Sequence, residues 1–189
     1  MRSKHTEKWV GAIIIIGIMS LIAYDVGLTR ISAYFLPNLT DPLPPKMQAQ
    51  YDKGWSALED ENYDTAYTFL LPLALRGYSK AQHNIGFIYS DGPTDKRDLI
   101  KAQEWYLKAA KQNHAKAMFN LGHLLLSGDL SQTYWLQGVC WLIQGANKKD
   151  ESAVVFLDAL FGLEGWDENL AKEATKLSEE GECSNIPLL

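Results

Sequence analysis

Cysteine is scarce in this chain of 189 residues: there are two, at positions 140 and 183. No Cys-x-x-Cys pair exists, no His-Glu-x-x-His, and no Gly-rich phosphate loop, so the motifs of zinc ribbons, zinc proteases and P-loop enzymes are absent. The carboxylates are spread along the chain, and no pair falls in an evident apolar pocket that would shift its pKa for acid–base work. Proline and glycine, 7 and 14 residues, are too few for a disordered chain. Basic residues are also short. The formal net charge is −5, and residues 1–30 hold four Lys/Arg against two acids, leaving 14 against 21 for the remainder. From Asp158 to Glu182 there are eight acids and two lysines. Such a body repels phosphate backbones, which argues against nucleic-acid binding. The plain reading of the acidic stretch is a solvated helix face.

Long hydrophobic runs are rare as well, with one exception. Residues 9–24, from Trp9 through Ile13–Ile16 to Tyr24, carry no charge. As a helix they reach about 24 Å, somewhat less than the ~30 Å hydrocarbon core. Val26, Gly27 and Leu28 extend the run past Asp25, and Trp9 and Tyr24 stand where interfacial aromatics belong. Arg2, Lys4 and Lys8 precede it. By the positive-inside tendency residues 1–8 stay in the cytoplasm, 9–28 form a single-pass anchor in a bacterial inner membrane, and the rest faces the periplasm. A cleaved signal peptide is the alternative; against it, Leu21 is bulky where an Ala-x-Ala site needs a small residue before Ala23. Pro37, Pro42, Pro44 and Pro45 make residues 29–45 an extended linker.

Beyond the linker a 36-residue period is written three times. Ala81, Ala117 and Ala153 lie 36 apart, as do Ala66, Ala102 and Gly138, then Phe69, Trp105 and Trp141, then Ala74, Ala110 and Ala146. Small residues recur where helices must approach, and large ones where the gap must be filled. A period of this length means stacked helix pairs, each burying its apolar face against its neighbours. Breaks at Glu61-Asn62, Gly77, Gly92-Pro93, Asn113, Gly128-Asp129, Lys148-Lys149 and Gly165 predict helices over 46–60, 63–77, 79–91, 96–112, 115–128, 131–147, 150–163 and 167–181. Pro72 falls inside one of them and should kink it. Residues 182–189 are a tail.

The text of the repeat is specific: Ala81-Gln82-His83-Asn84-Ile85-Gly86-Phe87-Ile88-Tyr89, then Gly92, Asp98, Lys101-Ala102 and Trp105-Tyr106-Leu107-Lys108-Ala109-Ala110, followed by Ala117-Met118-Phe119-Asn120-Leu121-Gly122. It resembles the Sel1-like repeat, a relative of the tetratricopeptide repeat. The second copy lacks the Asp and Lys-Ala after its loop and has Leu125 for the usual Tyr. The third has Asp158 for the packing glycine. In the first unit Gly54 precedes Ala66 by 12 residues, where Gly86 precedes Ala102 by 16, so that unit looks like a tetratricopeptide repeat. The resemblance implies an all-α, α/α superhelical solenoid of about four helix pairs over 46–181. It also implies a non-enzymatic protein binder with no small-molecule cofactor.

Carried across, the resemblance puts the first helix of each pair on the concave face. The residues flanking the packing glycine there are Tyr51 and Trp55, His83 and Phe87, Phe119 and His123, then Val155 and Ala159, with Lys80 and Lys116 one turn earlier. The expected partner site is therefore an aromatic strip edged with Lys and His, unless neighbouring helices bury those aromatics as core. His83 and His123 could approach across adjacent repeats, but two imidazoles make a poor metal site. Trp105 and Trp141 read as packing between helices. Cys140 and Cys183 either form a bridge that pins the tail back, as an oxidising compartment would favour, or remain a buried apolar residue and a free thiol.

The layout points to an anchored receptor for a protein partner outside the cytoplasm. Some exported Sel1-like repeat proteins of bacteria neutralise antibacterial effectors, including phospholipases delivered by type VI secretion, and an immunity protein is the sharpest form of that expectation. A scaffold for envelope assembly or signalling is the alternative. A hydrolase is a lesser one, since the β-lactam-cleaving members are cysteine-rich, and a purely structural spacer is another.

Overall fold

The computed structural model describes residues 41–93, 95, 97–127, 132–163 and 167–185. Among them are eight helices and no strand: α1 Pro45–Glu59, α2 Tyr63–Leu75, α3 Ser79–Asp91, α4 Leu99–Ala110, α5 Ala115–Ser127, α6 Gln132–Asn147, α7 Glu151–Phe161 and α8 Glu168–Glu180. No described helix is long and apolar enough to cross a membrane. The basic end at 1–8, the apolar run at 9–28 and most of the linker lie outside the described residues.

Local chemistry explains where the helices start. Asn62, Asp98 and Asp150 each accept a hydrogen bond from the backbone N–H three residues on, at 3.2, 3.0 and 3.0 Å. Asp167 caps α8 through Asn169 and Leu170, and Pro45 opens α1, where its missing N–H costs nothing. The turn between one pair and the next repeats as faithfully as the helices. Gly77, Asn113 and Lys149, each 36 residues from the last, all have positive φ, at 84°, 64° and 66°. Within a pair the links differ as their lengths suggest: residues 60–62 join α1 to α2, and 92–98 join α3 to α4. Pro72 lies inside α2, which continues without a break to Leu75. The Phe69 carbonyl one turn before it accepts the Gln50 amide at 2.8 Å.

Consecutive helices pack against each other from α1 through α7. The glycines set the approach. A Cβ on Gly86 would lie 2.6 Å from the Tyr106 ring, and one on Gly122 would lie 2.7 Å from the Gly138 carbonyl, so α5 and α6 meet backbone to backbone. Ala66, Ala81, Ala102, Ala117 and Ala153 are fully buried at the recurring small positions. The buried side chains form two clusters. One runs from Leu43 to Ile88 over α1–α3, and the other from Ala102 to Cys183 over α4–α8.

Both ends depart from the simple stack. Residues 41–44 are docked, not free: Leu43 is buried, and Asp41 accepts the Tyr78 hydroxyl at 2.7 Å and pairs with Lys80 at 2.7 Å. The linker thus joins the repeat body by Asp41, ahead of the boundary read at 45. At the other end α8 packs on α6 and makes at most marginal contact with α7, its neighbour in sequence. A disulfide between Cys140 of α6 and Cys183 after α8 closes this end, and the Gln137 amide donates to the Cys183 carbonyl at 3.1 Å. Of the two tryptophans read as packing, Trp141 is buried. Trp105 is half-buried against the first cluster with the Lys108 ammonium 4.1 Å over its ring.

Candidate functional site: the concave face

The odd-numbered helices share one face, and it is hollow. Trp55 and Leu58 of α1, His83 and Phe87 of α3, Lys116 and Phe119 of α5, and Ser152 of α7 line a groove of about 390 Å³. A second hollow of about 330 Å³ shares Phe87 and Asn120 and reaches His123 and Tyr106. A third, about 450 Å³, shares Ser152 and is walled by Val155, Phe156 and Ala159. The first two form one strip along the stack, and the third, which Glu151 also lines, opens beyond it on the exposed flank of α7.

Its floor is a hydrogen-bonded chain that crosses units. The Asn84 amide donates to the Tyr51 hydroxyl at 3.3 Å, and its oxygen faces His83 Nδ1 at 3.0 Å. His83 Nε2 lies 3.1 Å from Asn120 Nδ2. With an amide N–H pointing at Nε2 and an amide oxygen at Nδ1, the imidazole is neutral and carries its proton on Nδ1. Tyr106, which lines the same hollow as Asn120, shares its hydroxyl with Ser90 at 2.8 Å, and Ser90 bonds Asp91. His83 stacks on His114, centroids 4.9 Å apart. His114 Nδ1 in turn accepts the Ala117 N–H at 3.2 Å and starts α5, so this ring too is an acceptor.

Six of the eight residues anticipated from the sequence lie on this strip. Trp55 is 40 % exposed. Phe87 and Phe119 are half-buried, and Phe119 also meets Phe156 edge-on at 6.2 Å. His83 is half-buried and engaged on both nitrogens, while Lys116 and His123 are exposed. The other two are placed differently. Tyr51 turns into the first core cluster, edge-on to Tyr78 at 5.3 Å. Lys80 is occupied by Asp41, an exposed pair that adds little stability. His83 meets His114, not His123, whose ring lies 5.9 Å from Phe119 and 5.3 Å from Phe156. No group of three or more His, Cys, Asp or Glu converges among the described residues. Asn84, Asn120 and His114 were missed. The two asparagines had a signal, since they hold the same place in consecutive repeats 36 residues apart; His114 had none beyond its place before a helix.

Burial holds the His83 imidazole at about 4, against an ordinary 6.5, and the charges of His114 and Lys116 add to this. Burial also lowers His114, helped by Lys80 and Lys116. Both shifts have the same consequence. For His83, between pH 6.5 and 4 the unfolded chain takes up a proton that the folded one refuses, so stability is complete above that window and falls on acidification; His114 acts in the same direction. At about 1.4 kcal/mol per pH unit, His83 accounts for about 2–3 kcal/mol between pH 7 and 4.5. Urea midpoints at the two pH values measure it; an equal loss in His83→Gln would refute the assignment.

A strip of aromatic and amide side chains on the inner face of a helical stack is the kind of surface that helical-repeat proteins present to partners. A family model for the Sel1 repeat matches residues 79–114 and 115–132, which are α3–α4 and the α5 segment of this stack. Residues 79–132 thus carry Sel1 repeats, and such repeats are in general non-enzymatic scaffolds for protein–protein interaction. No curated protein matches the chain.

Proposed function

We propose that this protein is a tethered receptor that holds a protein or peptide partner in the concave groove, outside the cytoplasm, anchored in a bacterial inner membrane through residues 9–28. The observation that carries the reading is the groove itself. Trp55, Phe87 and Phe119 present large apolar surfaces from three successive units onto a floor of polar groups, which suits anchor side chains of an extended partner. The Cys140–Cys183 disulfide supports export, since such bridges persist in oxidising compartments. A tether confines the binder to its partner's zone and raises effective concentration.

A pull-down from membranes with the intact protein, followed by mass spectrometry, identifies the partner. Trp55→Ala, Phe87→Ala and Phe119→Ala should then each weaken it by about 2 kcal/mol, some thirtyfold, with the helical spectrum intact. Glu168→Lys with Glu173→Lys should act mainly on association rate and salt dependence. Normal binding by the three aromatic variants would remove the groove from consideration. For the orientation, protease added to intact spheroplasts should digest the repeat body; protection until lysis would reverse it.

The narrower form is an immunity protein, for which an acidic surface would suit a basic effector, and an effector gene beside this one is its discriminating observation. A neighbouring envelope or sensor gene would favour the scaffold instead.

A further inference from the structure

The odd helices are joined by one contact that recurs in register. Tyr51 of α1 meets Asn84 of α3, His83 of α3 meets Asn120 of α5, and Phe119 of α5 meets Phe156 of α7. Each time a residue touches the position one beyond its own equivalent in the next unit. The equivalent in α7 is Val155, and nothing among the described residues takes the next step. Val155 is 68 % exposed and Val154 42 %. The helix that would ordinarily close the pair, α8, lies on α6 and is held there by the disulfide. Helical spacing places Glu151, Val155 and Asp158 on one outer stripe of α7, all exposed, while Ala153, Leu157 and Leu160 face the core. Neither acid is in an ion pair among the described residues.

We infer that the outer face of α7, centred on Val155 between Glu151 and Asp158, is a second docking surface that takes a basic amphipathic helix of a partner protein as the next helix of the stack. The register calls for a helix, because the three earlier steps are all helix on helix. Val154 and Val155 call for an apolar stripe on it, and the two unpaired acids for Lys or Arg beside that stripe. A second copy fits badly: α7 against α7 would set acids against acids.

Photo-crosslinking of the full chain in detergent tests this. The probe is a leucine–lysine amphipathic peptide of about 18 residues carrying a benzophenone, with a leucine–glutamate peptide of the same spacing as control. The lysine peptide should crosslink to residues 151–163, and the glutamate peptide should not. Glu151→Lys with Asp158→Lys, and separately Val155→Ser, should each cut the yield about tenfold with the helical spectrum unchanged. Glu173→Lys with Glu179→Lys on α8, an equal change of charge, should alter it less than about twofold, and Trp55→Ala should leave it alone. Crosslinks that map to α8 or to the groove walls on α1, α3 and α5, that survive the α7 reversal, or that fall as far with the α8 reversal would overturn the proposal, as would no crosslink to α7.

Discussion

Replacing Cys140 and Cys183 together by alanine should cost about 4 kcal/mol of folding stability. The bridge joins residues 43 apart in sequence, and closing a loop of that size in the unfolded chain removes roughly this much entropy. Structure adds to it, since α8 packs mainly on α6 and both sulfurs are fully buried. Denaturant unfolding with and without reductant is the measurement. The oxidised protein should show the higher midpoint, and the double alanine variant should match the reduced one. A difference below about 1 kcal/mol would mean that the tail docks without the bond.

Trp141→Ala should cost about 3–5 kcal/mol, the usual range for emptying a large aromatic site. Trp141 is 3 % exposed in the second core cluster, beside the cysteine that carries the bridge. Its indole N–H is buried without a hydrogen-bond partner among the described residues. Trp141→Phe should therefore be much milder, because it leaves a smaller cavity and removes an unsatisfied donor. Urea midpoints of the two variants separate the terms. A loss under 1 kcal/mol for the alanine variant would contradict the burial, and equal losses would mean that the indole nitrogen is satisfied in solution.

Much of this arrangement is legible in the periodicity, because a period records which positions every unit turns inward. α3 spans the predicted 79–91, and the other helices end within three residues of expectation. Gly86 and Gly122 sit at the close approaches that their recurrence implies. What the period does not record is any contact made once. The docking of Leu43, the Asp41–Lys80 pair and the placement of α8 on α6 all occur at ends, where there is no second copy to compare. The same limit applies to the groove. The exposure of Trp55 follows from its place beside Gly54, whereas Tyr51, the matching position on the other flank, is drawn inward by Asn84 and by Tyr78, and Tyr78 belongs to no repeating pattern. The two cysteines were undecided in the sequence because their pairing depends on where α8 lies.

The division of the buried side chains into two clusters bears on how the molecule comes apart. The half formed by α4–α8 is stitched by a covalent bond; the half formed by α1–α3, the one nearer in sequence to the apolar run, is held among the described residues by packing and hydrogen bonds. A linear stack melts from its weaker end. In the anchored form proposed above, tension from the bilayer would thus peel α1 and α2 first. The strip that Trp55 shares with Phe119 reaches across both halves, so an occupant lying along it would act as a splint, resisting that peeling for as long as it stayed bound.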